Sequence, residues 1–268
     1  MIDQCLQRQR AVVTGASSAI GAAVAVRLAQ AGAAVIVNYR SGQDEAQAVV
    51  QAIRDQGGQA DAVQADISRA EDCRRLFEAA ETSLGGVDLL VANAGIQRDA
   101  AFTDLSLEQW QQVLDVNLTG QFLCAQEAVR CFRRRGLDPD RSRALGKIIF
   151  ISSVHEHIAW AGHANYAAAK GGLDMLMRTL AQELAPERIR VNSIAPGAIK
   201  TNINRSEWER EDARRRMLEL IPYGRVGEPQ DVAEAAVWLA SDAADYVVGT
   251  SLVIDGGMSL YPGFREGG

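Results

Sequence analysis

The chain has 268 residues, 47% hydrophobic and 23% charged, a globular balance that leaves ample apolar surface for a core and excludes a disordered or fibrous protein. Lys and Arg number 28 against 34 Asp and Glu, so with a net charge of -6 nothing draws the chain to nucleic acid or to an anionic membrane. Cys5, Cys73, Cys124 and Cys131 form no C-x-x-C pair and no disulfide scaffold, and "MIDQCLQRQR" lacks the apolar stretch of a secretory signal, so a cytoplasmic protein with reduced thiols is expected.

In chain order, "RAVVTG" at 10–15 is a short β-branched run closed by Gly, the Ala-rich stretch 19–31 reads as helix, and "AAVIVNY" at 33–39 reads as a second strand. The window 19–37 is the most membrane-like, but Arg27, Gln30 and Gly32 interrupt it, which divides it into helix and strand. Further apolar runs follow at 60–65, 87–92, 146–151, 189–194 and 250–254, with helical patterns between them. This succession predicts one α/β domain over 1–268, a doubly wound, parallel, seven-stranded sheet with helices on both faces. Its cofactor-binding part covers roughly 8–150 and its catalytic and substrate part 151–268.

The phosphate-loop candidate is "VVTGASSAIGAAVA", with Gly15 after a strand and Gly21 opening a helix, where free N–H groups and the helix dipole can face a pyrophosphate. Its G-x-x-x-A-x-G spacing fits a tight structural turn equally well, and its place in the first βα unit favours the phosphate site. At the end of the second strand stand Asn38, Tyr39, Arg40 and Ser41 instead of an acid for a ribose diol. Arg40 there either pairs with a 2′-phosphate or simply opens the next helix on a solvated face.

"LSLEQW" at 105–110 starts a long helix, with Ser106 and Gln109 as a capping box and Leu105 facing Trp110 as a staple. Asn117 and Gly120 lie inside it although both disfavour helix interiors, a conflict that often marks function. "RCFRRRGLDPDRSR" at 130–143 reads as a helix end running into a solvated loop.

Tyr166 and Lys170 in "YAAAK" are four apart on a helix, so they share a face and can meet one ligand, although such pairs are also ordinary surface packing. A tyrosine of pKa ~10 is ~0.1% ionised at pH 7, so its use as a base costs about 4 kcal/mol unless nearby positive charge lowers that pKa. Lys170 and an oxidised nicotinamide are expected to supply the shift. His155, Glu156 and His157 lack H-E-x-x-H spacing, and no metal is expected. His155 and Glu156 are placed instead in the substrate pocket, against the alternative of a structural loop.

Taken together, "TGASSAIG", "NAG" at 93–95, "VNLTG" at 116–120, "SSV" at 152–154, "YAAAK" and "RVNSIAPGAIKT" at 190–201 closely resemble the short-chain dehydrogenase/reductase family over nearly the whole chain. The resemblance implies a Rossmann-type oxidoreductase, usually tetrameric, with Asn117, Ser153, Tyr166 and Lys170 as catalytic tetrad. Ser153 would hold the reacting oxygen, Tyr166 would take the hydroxyl proton, Lys170 would hold the ribose, and Asn117 would seat a relay water. Gly15, Ser17, Ser18, Ile20 and Gly21 would line the pyrophosphate. Arg40 and Ser41 would meet the ribose phosphate, and Asp66 and Ile67 would flank adenine. Asn93, Ala94 and Gly95 would pass the ribose, with Pro196, Gly197, Ile199 and Thr201 on the nicotinamide side. NADP is the preferred cofactor on this reading, with NAD usable.

Ala19 replaces the family's usual middle glycine and Ala92 a common Asn; the first change is expected to be tolerated. "SSVHE" with Trp160, "NYRS", and the tail "DGGMSLYPGF" are similar to bacterial glucose 1-dehydrogenases, apart from Gln97, which stands where a Glu for sugar contacts is usual. The favoured activity is therefore oxidation of an aldose at C1 to the lactone. The alternatives are a reductase or alcohol dehydrogenase for a 3-oxoacyl, steroid or other ketone, and a non-catalytic nucleotide sensor. The polar segment 198–220 is expected to form a lid over the substrate. The tail from Met258 to Gly268 is expected to be ordered across a subunit interface of the tetramer.

Overall fold

The computed structural model describes residues 4–201 and 208–260. Seven strands pair in parallel: β1 (Arg10–Val13), β2 (Ala34–Tyr39), β3 (Ala60–Gln64), β4 (Leu89–Ala92), β5 (Gly146–Ile151), β6 (Ile189–Pro196) and β7 (Ser251–Ile254). Their order across the sheet is β3-β2-β1-β4-β5-β6-β7, so the winding reverses beside β1, where β4 crosses to its other side. In an open sheet of this kind the crevice at the carboxyl ends next to that reversal is where ligands bind.

Strand alternation builds a core on each face. Val13, Val35, Val37, Val91, Ile149 and Ile151 point to one face, where α1 (Ala19–Gln30), α2 (Gln43–Asp55) and α8 (Pro229–Ala240) cover them. Val12, Ile36, Leu90, Ile148 and Phe150 point to the other, beneath α3 (Ala70–Leu84), α5 (Gly120–Arg135) and α6 (Ala164–Leu184). Such two-sided burial explains why the strands read as continuous apolar runs rather than alternating ones.

The capping box of Ser106 and Gln109 is present and starts α4 (Leu107–Leu114). The single long helix expected after it is instead three pieces, since a π turn over Asp115–Thr119 separates α4 from α5. Gly120 has its reason here: a Cβ at that position would stand 2.8 Å from the Ile67 carbonyl oxygen, so only glycine lets α5 approach the β3 loop.

The basic stretch after α5 departs from the solvated loop expected of it. Arg135 and Arg141 turn inward with Arg10 around the buried Asp88 carboxylate, at 3.0, 3.3 and 2.7 Å. Burial alone would raise that carboxyl, but the three guanidinium groups outweigh it and hold it below the usual carboxylate range. Asp88→Asn is expected to cost about 3 to 5 kcal/mol in denaturant unfolding, because it leaves buried guanidinium charge unpaired. As the carboxyl is lower in the folded chain, its stabilisation is complete above the unfolded value of 3.8 and is lost as pH falls through the native one. Stability of the wild type, compared with that of the variant, should therefore converge on it in acid.

Candidate active site

A cleft of about 940 Å³ opens at the carboxyl ends of the strands. Its phosphate end is built on the β1–α1 turn. Gly15 there has φ +60°, and a Cβ on it would lie 2.8 Å from the Ala94 Cα, so the two loops touch backbone to backbone. Thr14 Oγ1 accepts the N–H groups of Asn93 (2.9 Å) and Ala94 (3.1 Å), and the Asn93 amide donates to the carbonyls of Thr14 and Gly15. Helix α1 begins with no side-chain cap from Ser18 and no acid in its first turn. Its first N–H groups therefore leave a positive dipole end toward the cleft, which fits an anionic phosphate group.

Ala19, the replacement for a glycine, adopts φ +49°, a left-handed conformation that an L-residue enters at a cost of about 1 to 2 kcal/mol. The substitution is accommodated with strain rather than freely.

Asn38 is a buried strut at the edge of the cleft. Its Oδ1 accepts the Gly15 N–H at 3.2 Å, and its amide donates to the carbonyls of Val63 and Ala65 at 3.2 Å each. Arg40 and Ser41 line the cleft beside it, Arg40 exposed and without an ion-pair partner among the described residues. Asp66 and Ile67 form the far wall, with the Asp66 carboxylate fixed by Ser68 at 2.7 Å. Gly15, Ser17, Ser18, Ile20, Gly21, Asn93, Ala94 and Gly95 also line the cleft, as do Pro196, Gly197, Ile199 and Thr201 at its other end.

Ser153, Tyr166 and Lys170 converge in the middle of this cleft. Ser153 follows β5, and its Oγ accepts the His155 N–H at 3.2 Å, which leaves the hydroxyl hydrogen to point elsewhere. Burial pushes the Tyr166 phenol above its usual range, the hydrogen bond with Ser153 partly reverses this, and Asp99 adds to the rise. Lys170 Nζ donates to the Ile151 carbonyl at 2.8 Å and lies 5.6 Å from the Tyr166 ring centre. Burial brings its ammonium down to about 8, against the pull of Glu156. The expectation that Lys170 lowers the tyrosine is thus not met by the protein alone: burial governs both groups and favours the neutral form of each.

Asn117 lies in the π turn, wholly buried and outside the cleft lining. Its Oδ1 accepts the Ile96 N–H at 2.8 Å and its Nδ2 donates to the Ile96 carbonyl at 2.9 Å. The side chain therefore holds the β4 loop with one hydrogen bond at each end of its amide.

Of the three residues expected at the substrate, Gln97 and His155 line the cleft and Glu156 does not. The Glu156 side chain is turned under the turn that carries it, where it accepts a hydrogen bond from Ser251. Sequence reasoning missed the aromatic wall next to Tyr166. His155 stacks on Trp160 with ring centres 4.3 Å apart, and Trp160 stacks on His163 at 3.5 Å. Burial lowers the His155 imidazole, the Ile158 carbonyl opposes this, and His163 adds to it. His163 Nε2 lies 3.3 Å from Asp99, and the Ala100 N–H donates to the Gly162 carbonyl at 3.1 Å, so two loops are zipped into one wall.

Ala213, Met217 and Leu220 face the cleft from α7 (Glu211–Glu219) and the residue after it, so the described part of the expected lid does cover the site. Their i, i+4, i+7 spacing within a polar segment was the available signal. Residues 202–207 of the lid and 261–268 of the tail lie outside the described residues. Among the described residues no helix is long and apolar enough to cross a membrane.

A cleft at the carboxyl ends of a doubly wound sheet, with Ser, Tyr and Lys at its centre, is the arrangement of an oxidoreductase of that class. A family profile described as enoyl-(acyl carrier protein) reductase matches residues 15–259. The chain belongs to the short-chain dehydrogenase/reductase family and is an NAD(P)-dependent enzyme. It is 50% identical over 262 residues to 3beta-hydroxysteroid dehydrogenase 1 of Eggerthella lenta, covering 98% of each chain. It is 40% identical over 262 residues to glucose 1-dehydrogenase 2 of Bacillus subtilis, covering 97% of this chain and 98% of that one. A gluconate 5-dehydrogenase from Burkholderia cenocepacia, solved in complex with NADP and tartrate, superposes with a TM-score of 0.88 at 34% identity, covering 97% of this chain and 99% of that one.

The strain at Ala19 is open to direct measurement. Ala19→Gly is expected to leave stability within about 1 kcal/mol of wild type or to raise it, since relief of the left-handed strain offsets glycine's extra unfolded-state entropy. Ala25→Gly, buried mid-way along the same helix, should cost about 1 to 2 kcal/mol in the same urea titration.

Proposed function

We propose that the enzyme interconverts a secondary alcohol and a ketone on a bulky apolar skeleton of the hydroxysteroid type, using NADP in preference to NAD. The observation that carries this reading is the substrate end of the cleft, where Ile158, Ala159, Trp160, Met217, Leu220 and Met258 present apolar surface. A fused-ring skeleton would bury its own apolar area against these side chains. The similarity to a hydroxysteroid dehydrogenase points the same way. Aldose oxidation is the second reading, favoured by Gln97, Asp99 and His163 on the same wall and by the similarity to a glucose dehydrogenase.

Ser153, hydrogen-bonded with Tyr166, turns its hydroxyl hydrogen to the reacting oxygen and fixes it beside Tyr166. The Tyr166 hydroxyl takes the alcohol's proton in oxidation and returns it in reduction. NADP, when bound, supplies the carbon that exchanges hydride and, in its oxidised form, a positive charge near Tyr166. Lys170 is held by the Ile151 carbonyl where its ammonium can reach a ribose hydroxyl. Arg40 meets the 2′-phosphate, and the uncapped start of α1 meets the pyrophosphate. Asn117 acts through the backbone: a π turn takes a carbonyl out of the regular helical ladder and leaves an acceptor for a relay water, while the side chain holds Ile96. A homotetramer belongs to the same proposal, with exposed Trp238, Tyr246 and Val253 around the edge strand β7 as apolar surface for a subunit contact.

Tyr166→Phe should lower kcat by at least about a thousandfold with little change in unfolding or in the Kd of NADP, since it removes one proton carrier and almost no buried area. Undiminished turnover in that variant would end the assignment. Arg40→Ala should raise KM for NADP about ten- to a hundredfold and leave KM for NAD nearly unchanged, because a charge-assisted contact contributes about 1.5 to 3 kcal/mol. Equal effects on both cofactors would assign Arg40 to the solvated helix start. The substrate reading is tested by following reduced-nicotinamide absorbance on 3-hydroxysteroids, aldoses and 3-oxoacyl thioesters. Hydroxysteroids should give the highest kcat/KM, and Trp160→Ala should cut it about tenfold or more on them while sparing a small ketone. A preference for aldoses would replace this reading by the second.

A further inference from the structure

Behind the catalytic residues, on the side away from the cleft, Glu156, His157 and Asp174 bring one imidazole nitrogen and two carboxylate oxygens within 4.8 Å of one another. They come from two elements. Glu156 and His157 end the short turn that begins at the catalytic Ser153, and Asp174 lies one helical turn beyond Lys170 on α6. The Glu156 side chain is wholly buried and that of Asp174 is nine-tenths buried. One oxygen of each carboxylate is already held: Ser251 Oγ donates to Glu156 Oε1, and Arg178 Nε donates to Asp174 Oδ2 at 2.8 Å. The other two oxygens, Glu156 Oε2 and Asp174 Oδ1, are buried with no hydrogen-bond partner.

Buried carboxylate oxygens without partners are costly, and the cost is removed by a proton donor or a cation. The cluster has the other attributes of a cation site. Both carboxylates are oriented by hydrogen bonds from outside it, His157 Nε2 stands 3.3 Å from Glu156 Oε1, the oxygen that also accepts from Ser251, and the half-exposed His157 ring leaves a path to solvent. One imidazole with two carboxylates suits a divalent transition ion better than magnesium, which favours oxygen donors in a strict octahedron. We propose that Glu156, His157 and Asp174 form a structural binding site for one divalent transition cation of the zinc type, which staples the Ser153 turn to the Tyr166–Lys170 helix.

The 4.8 Å spread exceeds the roughly 3.4 Å edge of a tetrahedron with zinc–ligand bonds of about 2.0 to 2.1 Å. The donors must therefore draw in when the ion binds, and the exposed His157 ring is the one free to move most. The spacing explains why the sequence concealed the site. Glu156 and His157 are adjacent, and the third donor is seventeen residues further on, which matches no metal-binding signature.

The full chain, stripped with chelator and exchanged into metal-free buffer, is titrated with zinc chloride by calorimetry and thermal unfolding, with magnesium chloride in parallel. One zinc ion per chain should bind and raise Tm, while magnesium at the same concentration does neither. Asp174→Asn and His157→Ala should each weaken zinc binding at least tenfold and abolish the rise in Tm. His157 is exposed, so its variant keeps the test valid even if Glu156→Gln fails to fold. Absence of binding at millimolar zinc would overturn the proposal, as would binding that survives in both His157→Ala and Asp174→Asn, which would place the ion on other thiols or imidazoles. None of these readouts depends on turnover.

Discussion

The carboxyl ends of three strands are tied together by one buried amide. Asn38, at the end of β2, holds the Gly15 N–H on one side and the carbonyls of Val63 and Ala65 on the other. Asn93 does the same between β4 and the β1 turn. Backbone groups at strand ends have no ladder partner, and here side-chain amides take that role instead of water. The loops after β1, β2, β3 and β4 are thereby held around the cleft, and the positions of the uncapped start of α1 and of Arg40 follow from it.

Within that frame the reacting groups sit where water is scarce. Burial raises Tyr166 and lowers Lys170 to about 8, so the phenol stays protonated beside an ammonium that is held close to its titration range. That state suits a reversible dehydrogenase, in which the same phenol must accept a proton in one direction and donate it in the other. The substrate side is stiff for a different reason. The Trp160 indole is clamped between two imidazoles, and the loops that carry them are joined by a backbone hydrogen bond and by the contact of His163 with Asp99. A wall so joined leaves few side-chain rotamers to order when a ligand binds.

Several residues serve differently from what their types suggest. Asn117 conflicts with a regular helix, and the conflict is resolved by a π turn that lets the side chain hold Ile96. Glu156, adjacent to a cleft histidine in sequence, faces the opposite way, because successive residues of a tight turn diverge. Arg135 and Arg141 look like a solvated basic run and instead surround the one buried carboxylate that can neutralise them.

Periodicity and spacing were sufficient for the seven strands, their parallel winding, the capping box at Ser106, and the shared helix face of Tyr166 and Lys170. Each of these depends on local propensity or on spacing along one element, which a linear sequence carries in full. The sequence could not say that Asn38 is a strut, that Ala19 is strained at φ +49°, that Glu156 lies beside His157 and Asp174, or that Met217, Leu220 and Met258 line the cleft. Those outcomes depend on which way a side chain points and on what a distant segment places against it. Direction and long-range contact are settled only when both faces of the sheet are packed, and so only the tertiary structure decided them.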